Sequence, residues 1–205
     1  MDASDILAAA RVVPVVVIDD ATVAVELAAT LADAGIAAIE ITLRTPAALS
    51  AIAAVAKDNP GILVGAGSVR NADQFAAIVD AGARFAVSPG HSDSLLAAAK
   101  AHGLPFVPGA VTASETLTLL DHGYTLQKFF PAESAGGLPM IKALSAPLPE
   151  VRFFPTGGIN VERARDYLAF DAVSAVGGSW LTPAKALASR DFACIGELAA
   201  AAAKI

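Results

Sequence analysis

The run Thr125-Leu126-Gln127-Lys128-Phe129-Phe130-Pro131-Ala132 sets one lysine in the middle of an apolar stretch of strand character. A lysine beside Leu126, Phe129 and Phe130 cannot keep its ammonium hydrated unless the strand lies at an edge or the side chain opens into a polar cavity. In a cavity, desolvation favours the neutral amine, the nucleophile of carbonyl chemistry, and the two phenylalanines are expected as its desolvating walls. At an edge, Lys128 is a surface residue on a half-exposed strand. A second candidate is Glu40. In Ala38-Ile39-Glu40-Ile41-Thr42-Leu43, strand alternation sends Ile39, Ile41 and Leu43 to one face and Glu40 with Thr42 to the other. An inward carboxylate among apolar neighbours suits a general acid or base. Its other reading is an ion pair with Arg44, four residues on.

Other residues offer binding chemistry. Arg44 carries a planar fork that fits a substrate carboxylate, or it is a solvated loop arginine. Ser68, after Gly65-Ala66-Gly67, and Thr156, after Phe154-Pro155, are hydroxyls able to donate to a carboxylate or carbonyl, although hydroxyls also cap helices in such positions. Gly157-Gly158 and Gly177-Gly178-Ser179 could hold a phosphate on bare backbone amides; tight turns with positive φ are the alternative. His102 and His122 each precede a glycine at a helix end, whereas His91 follows Ser88-Pro89-Gly90 beside the other candidates and is kept as a minor one.

The elements that must position these residues alternate throughout. An opening helix at 3–10 is followed by strand-like runs at 12–18, 37–43, 62–66, 83–88, 105–108, the lysine strand, 151–155 and 172–176. Between them lie helical stretches at 21–34 with Gly35 as stop, from Thr45-Pro46 to about 56, and at 72–81, 92–102, 112–122, 138–144 and 161–169. Thr112-Ala113-Ser114-Glu115 is a capping box, and Thr182-Pro183 opens one last helix. Eight such units without a long insertion predict a (β/α)8 TIM barrel, a single domain over residues 1–205 with a short N-terminal helix. The runner-up, an open doubly wound sheet, lacks a GxGxxG after its first strand. Ser68, Ser88, Pro108 and Lys128 recur at intervals of 20, each at the C-terminal end of a strand, where barrels build active sites.

Composition narrows the partners. With 205 residues, 55% hydrophobic and 17% charged, the chain can bury a core, yet no apolar stretch reaches a membrane span. Net charge is −6, without a Lys/Arg cluster to follow a nucleic-acid backbone. The start, Met1-Asp2-Ala3-Ser4-Asp5, shows no leader pattern, so a cytoplasmic location is expected. The single Cys194 sits in a helical pattern, and neither CxxC nor HExxH occurs, so no metal site or disulfide is expected.

Glu40-Ile41-Thr42-Leu43-Arg44-Thr45, Val64-Gly65-Ala66-Gly67-Ser68-Val69, Phe85-Ala86-Val87-Ser88-Pro89-Gly90, Lys128-Phe129-Phe130-Pro131-Ala132-Glu133 and Phe154-Pro155-Thr156-Gly157-Gly158-Ile159 together resemble the motifs of 2-keto-3-deoxy-6-phosphogluconate (KDPG) aldolases. The likeness runs from the first strand through Gly177-Gly178-Ser179-Trp180-Leu181. It implies a class I aldolase of the Entner-Doudoroff type, cleaving its substrate reversibly to pyruvate and D-glyceraldehyde 3-phosphate. Lys128 would form the Schiff base and Glu40 handle protons. Arg44, Ser68 and Thr156 would hold the keto-acid part, with Gly157, Gly158, Gly178 and Ser179 at the phosphate. The partners so implied are a small 2-keto acid and a phosphorylated aldehyde, with no metal or organic cofactor, in a homotrimer. Ser68 stands where the family commonly has threonine; serine keeps the hydroxyl but has no methyl group to pack. A sister aldolase for the galactonate epimer or for unphosphorylated 4-hydroxy-2-ketoglutarate would use the same residues. A phosphate-binding isomerase or a non-catalytic sugar-phosphate binder, with Lys128 only an electrostatic contact, is the alternative from another class.

Overall fold

A computed structural model describes residues 3–59 and 61–205; Met1 and Asp2, which the leader reading used, and Pro60 lie outside the described residues. Helix α1 (Ala3–Ala10) precedes β1 (Val12–Val16), and a 3-10 turn (Ala21–Val23) leads into α2 (Ala24–Asp33). The alternation continues with β2 (Ala38–Thr42), α3 (Ala48–Asp58), β3 (Leu63–Gly67), α4 (Asp73–Asp80), β4 (Phe85–Val87), α5 (Asp93–His102) and β5 (Phe106–Val107). The second half runs α6 (Ala113–Asp121), β6 (Leu126–Phe129), α7 (Gly137–Ser145), β7 (Arg152–Pro155), α8 (Val161–Leu168), β8 (Val176–Gly178), α9 (Ala184–Ala188) and α10 (Phe192–Ala202).

The fold is mixed α/β, and its paired strands are parallel. Six of them form a curled sheet in the order β5-β4-β3-β2-β1-β8, and β6 pairs with β7 separately. Single bridges join the two sets: Gly109 with Lys128 on one side, Phe153 with Val173 and Thr156 with Gly177 on the other.

Strand alternation gives the sheet two apolar faces, as a parallel sheet covered by crossover helices requires. Outward residues such as Ile39, Ile41, Val64 and Ala66 bury against Leu27, Leu31, Ile52 and Val55 of the helices. Inward ones, among them Val13, Ala38, Phe85, Val107, Leu126 and Phe154, form a second cluster. Helix α1 adds Ala3, Ile6 and Leu7 to that inner cluster and so plugs the end where the strands begin. Glu40, Thr42, Lys128 and Thr156 come later in the same inward rows, beyond the apolar plug, and all four are buried.

Several elements differ from the sequence expectation. Thr45 does not cap α3: its hydroxyl donates to the Ile18 carbonyl, tying the ends of β1 and β2 together, and α3 begins at Ala48 without a side-chain cap. Strand β8 is displaced from 172–176 to Val176–Gly178, because β1 pairs with Val176, Gly177 and Gly178. The apolar run that suggested the earlier boundary supplies only the Val173 bridge. The expected last helix is two helices, broken where Arg190 takes φ 55 and Asp191 accepts a hydrogen bond from the Cys194 amide to start α10. The capping box at Thr112 and Glu115 is present in both directions.

Candidate active site

Lys128 comes from β6 and Glu40 from β2, and their side chains meet: Lys128 Nζ lies 3.2 Å from Glu40 Oε1. The lysine is 5% exposed and the glutamate 0%, so the edge-strand reading of Lys128 does not hold. Glu40 pairs with Lys128 and not with Arg44, because alternation turns it inward while Arg44 lies past the strand end. An ion pair this buried is costly to desolvate and gives weak support to stability, which favours a chemical role. Glu40 Oε2 is buried with no hydrogen-bond partner among the described residues, leaving one oxygen free to take a proton or a water.

Room for this pair comes from glycine. A Cβ on Gly67, which pairs with Thr42, would overlap the Glu40 carboxylate, and one on Gly65 would overlap the Phe85 ring. Gly67 carries no chemistry-bearing group in the sequence, where its sign is two inward glycines at alternate positions facing an inward glutamate. Of the expected walls, only Phe130 flanks the amine, its ring centre 5.5 Å from Lys128 Nζ. Phe129 packs edge-on against Phe153 in the outer core instead. Adjacent strand residues face opposite ways, so Phe129 cannot share a side with Lys128.

Arg44 and Ser68 are brought together just above Glu40 and Gly67: Arg44 Nε donates to Ser68 Oγ at 3.2 Å. Ser68 takes φ 58, a left-handed conformation that costs a residue with a Cβ about 1–2 kcal/mol. Thr156 extends the inward row of β7, and its hydroxyl is buried without a partner among the described residues. Its bridge to Gly177 sets the two glycine pairs side by side. Gly157 and Gly158 have φ 101 and 79, as their turn requires. Gly178 leaves space that the Trp180 ring fills, and Ser179 follows it at the end of β8.

The histidines bond or stack on other groups. His91 Nδ1 is bonded to the Gly109 carbonyl at 2.9 Å, His122 Nδ1 to Thr118 at 2.8 Å, and His102 stacks on Phe75. Among the described residues, no three His, Cys, Asp or Glu side chains converge as a metal-binding group.

The family pattern described as "Aldolase: KDPG and KHG aldolase" fits residues 3–198. The chain belongs to the KDPG and KHG aldolase family. The KHG/KDPG aldolase of Escherichia coli strain K12 is 46% identical over 197 residues, 96% of this chain and 92% of that protein. Among solved structures, a KDPG aldolase from Legionella pneumophila, with pyruvate captured at low pH as a covalent carbinolamine intermediate, aligns with TM-score 0.96 at 42% identity over 98% of both chains. A KDPG aldolase from Zymomonas mobilis ATCC 29191 aligns with TM-score 0.94 at 40% identity, covering 99% of this chain and 97% of that one. As a KDPG and KHG aldolase, the chain is a lyase.

Proposed function

We propose that this aldolase cleaves KDPG reversibly to pyruvate and D-glyceraldehyde 3-phosphate through a Schiff base on Lys128, with Glu40 as general acid and base. The carrying observation is the buried contact between Lys128 Nζ and Glu40 Oε1 at 3.2 Å. One proton passed across it makes the amine nucleophilic and the carboxyl an acid, with no change in the net charge of the site. The amine adds to the C2 carbonyl, and Glu40 protonates the carbinol oxygen so that it departs as water, leaving an iminium. Glu40, now a carboxylate, takes the C4 hydroxyl proton. The C3–C4 bond breaks, its electron pair passing into the enamine, and the phosphorylated aldehyde leaves. Protonation of the enamine carbon and hydrolysis of the imine release pyruvate and restore the lysine. No metal or organic cofactor enters these steps.

In the same reading, Arg44, Ser68 and Thr156 hold the keto-acid end, and Gly157, Gly158, Gly178 and Ser179 receive the phosphate. The Arg44–Ser68 bond and the unpartnered Thr156 hydroxyl support the first group. The adjacency of the two glycine junctions supports the second, since bare amides can bind an anion without a basic patch. The eight strands close as a (β/α)8 barrel in one domain over residues 1–205, a reading favoured by the bridges on both sides of the β6-β7 pair. The working form is a cytoplasmic homotrimer that binds neither membrane nor nucleic acid.

The family description and the Escherichia coli relative's name both include KHG, which favours a second activity on phosphate-free 4-hydroxy-2-oxoglutarate. Comparing kcat/KM on the two substrates measures it. For the mechanism, incubation with pyruvate and borohydride is expected to leave a reduced adduct on Lys128, located by mass spectrometry. Lys128→Ala should abolish both adduct and turnover; normal turnover in that variant would sink the Schiff-base reading.

A further inference from the structure

Glu133 has no part in the chemistry above, yet it lies against the turn that carries Gly157 and Gly158. Its backbone amide donates to the Gly157 carbonyl at 3.2 Å, one step beyond the bond from the Ala132 amide to the Thr156 carbonyl at 2.8 Å. Its side chain fills the space beside Gly158, where an added Cβ would come within 2.8 Å of Glu133 Cγ. One carboxylate oxygen accepts from the Tyr167 hydroxyl at 2.7 Å, and the other pairs with Arg163 Nε at 3.0 Å. Arg163 then turns back, its Nη1 donating to the Gly158 carbonyl at 3.0 Å.

Two successive peptide planes are thereby fixed. In a planar trans peptide the N–H points opposite to the C=O. With the Gly157 carbonyl drawn toward the Glu133 amide, the Gly158 N–H faces the other way. With the Gly158 carbonyl drawn toward Arg163, the Ile159 N–H is likewise turned away. Neither amide donates a hydrogen bond to any of the described residues. A Gly-Gly turn left to itself samples many conformations, so amides aimed at an anion need outside ties. Donors fixed before the ligand arrives cost nothing to orient when it binds.

We propose that Glu133, Arg163 and Tyr167 form a clamp that aims the Gly158 and Ile159 amides at the substrate phosphate. All three are positioning residues: they act through the turn and touch no substrate. The clamp rests on the reading that this turn receives the phosphate. Burial keeps the Tyr167 phenol protonated well above its usual range, reinforced by the bond to Glu133, so the donor persists at any pH the enzyme meets.

Arg163 is half exposed, so Arg163→Ala leaves the fold standing, as thermal unfolding will verify. Its kcat/KM for KDPG is expected to fall about tenfold, carried by KM. The yield of borohydride-trapped pyruvate adduct, a reaction without phosphate, should stay within about twofold. Glu133→Gln separates positioning from plain electrostatics. Removing a negative charge beside a bound phosphate would tighten binding if charge were all that mattered. The clamp requires KM for KDPG to rise instead, because the carboxamide nitrogen is a donor and cannot replace an accepting oxygen. The double variant should be no worse than the poorer single one, since both loosen the same turn. An unchanged KM in Arg163→Ala, a lowered KM in Glu133→Gln, or adduct loss equal to the loss of KDPG turnover overturns the clamp. Inorganic phosphate as a competitor of KDPG, with Ser179→Ala, tests the phosphate reading separately. If phosphate fails to compete and Ser179→Ala keeps its KM, that reading falls and the clamp with it. If phosphate competes while the clamp variants behave as wild type, only the clamp falls.

Discussion

At the scale of single residues, the site depends on what is missing as much as on what is present. Gly67 has no catalytic group, but its absent side chain is the space in which Glu40 reaches Lys128. Gly67→Ala is therefore expected to push the carboxylate off the amine and lower kcat by about a hundredfold, the order of a lost general acid-base, while thermal unfolding still shows a folded protein. A kcat within about twofold of wild type would mean that the contact is not needed. Residue-level chemistry was legible in the sequence where it depended on local rules. The inward direction of Glu40 follows from alternation, and the anomaly of Lys128 follows from its neighbours. The pairing itself was not legible, because it joins residues 88 apart and exists only once the sheet curls. Phe129 obeys the same rule: the alternation that turns Glu40 inward turns Phe129 away from the lysine.

Among the elements, α6 is held by chemistry that can be titrated. Burial raises the Glu115 carboxyl, but donation from the Val111 amide and from the Thr112 hydroxyl and amide, with the charge of His91, outweighs this and leaves it below the usual carboxylate value. A depressed folded value means the unfolded chain takes up the proton more readily. The stabilisation is thus complete above the unfolded value near 4.5 and is lost as pH falls through the folded one. Glu115→Gln is expected to cost about 1 kcal/mol at pH 7, with a gap to wild type that narrows in acid, read by urea unfolding. A gap that stays constant down to strongly acid pH would contradict the assignment. Such caps were plain in the sequence because Thr112 and Glu115 stand three apart. The β8 boundary was not: Gly177 and Gly178 look like a loop, and only β1 across the ladder makes them strand. The break at Arg190 was hidden for a similar reason, since Ser189-Arg190-Asp191 fits a helical surface as well as a turn.

For the molecule as a whole, the alternation of strands and helices in the sequence accounts for nearly every element, while assembly lies beyond it. Leu49, Val79 and Leu117 remain exposed on α3, α4 and α6. The proposed homotrimer predicts a mass by light scattering three times the 20.6 kDa of one chain, and a monomer at working concentration would refute it. A different property follows from the strands standing between two cores. The inner cluster, sealed by Ile6 and Leu7, lies beneath the chemistry, and the outer cluster shares none of its buried members. Substitutions in distant layers without common partners tend to add. Stability and specificity can therefore be tuned as separate design variables, the helices and strand backs for heat tolerance and the inward row for a new aldehyde.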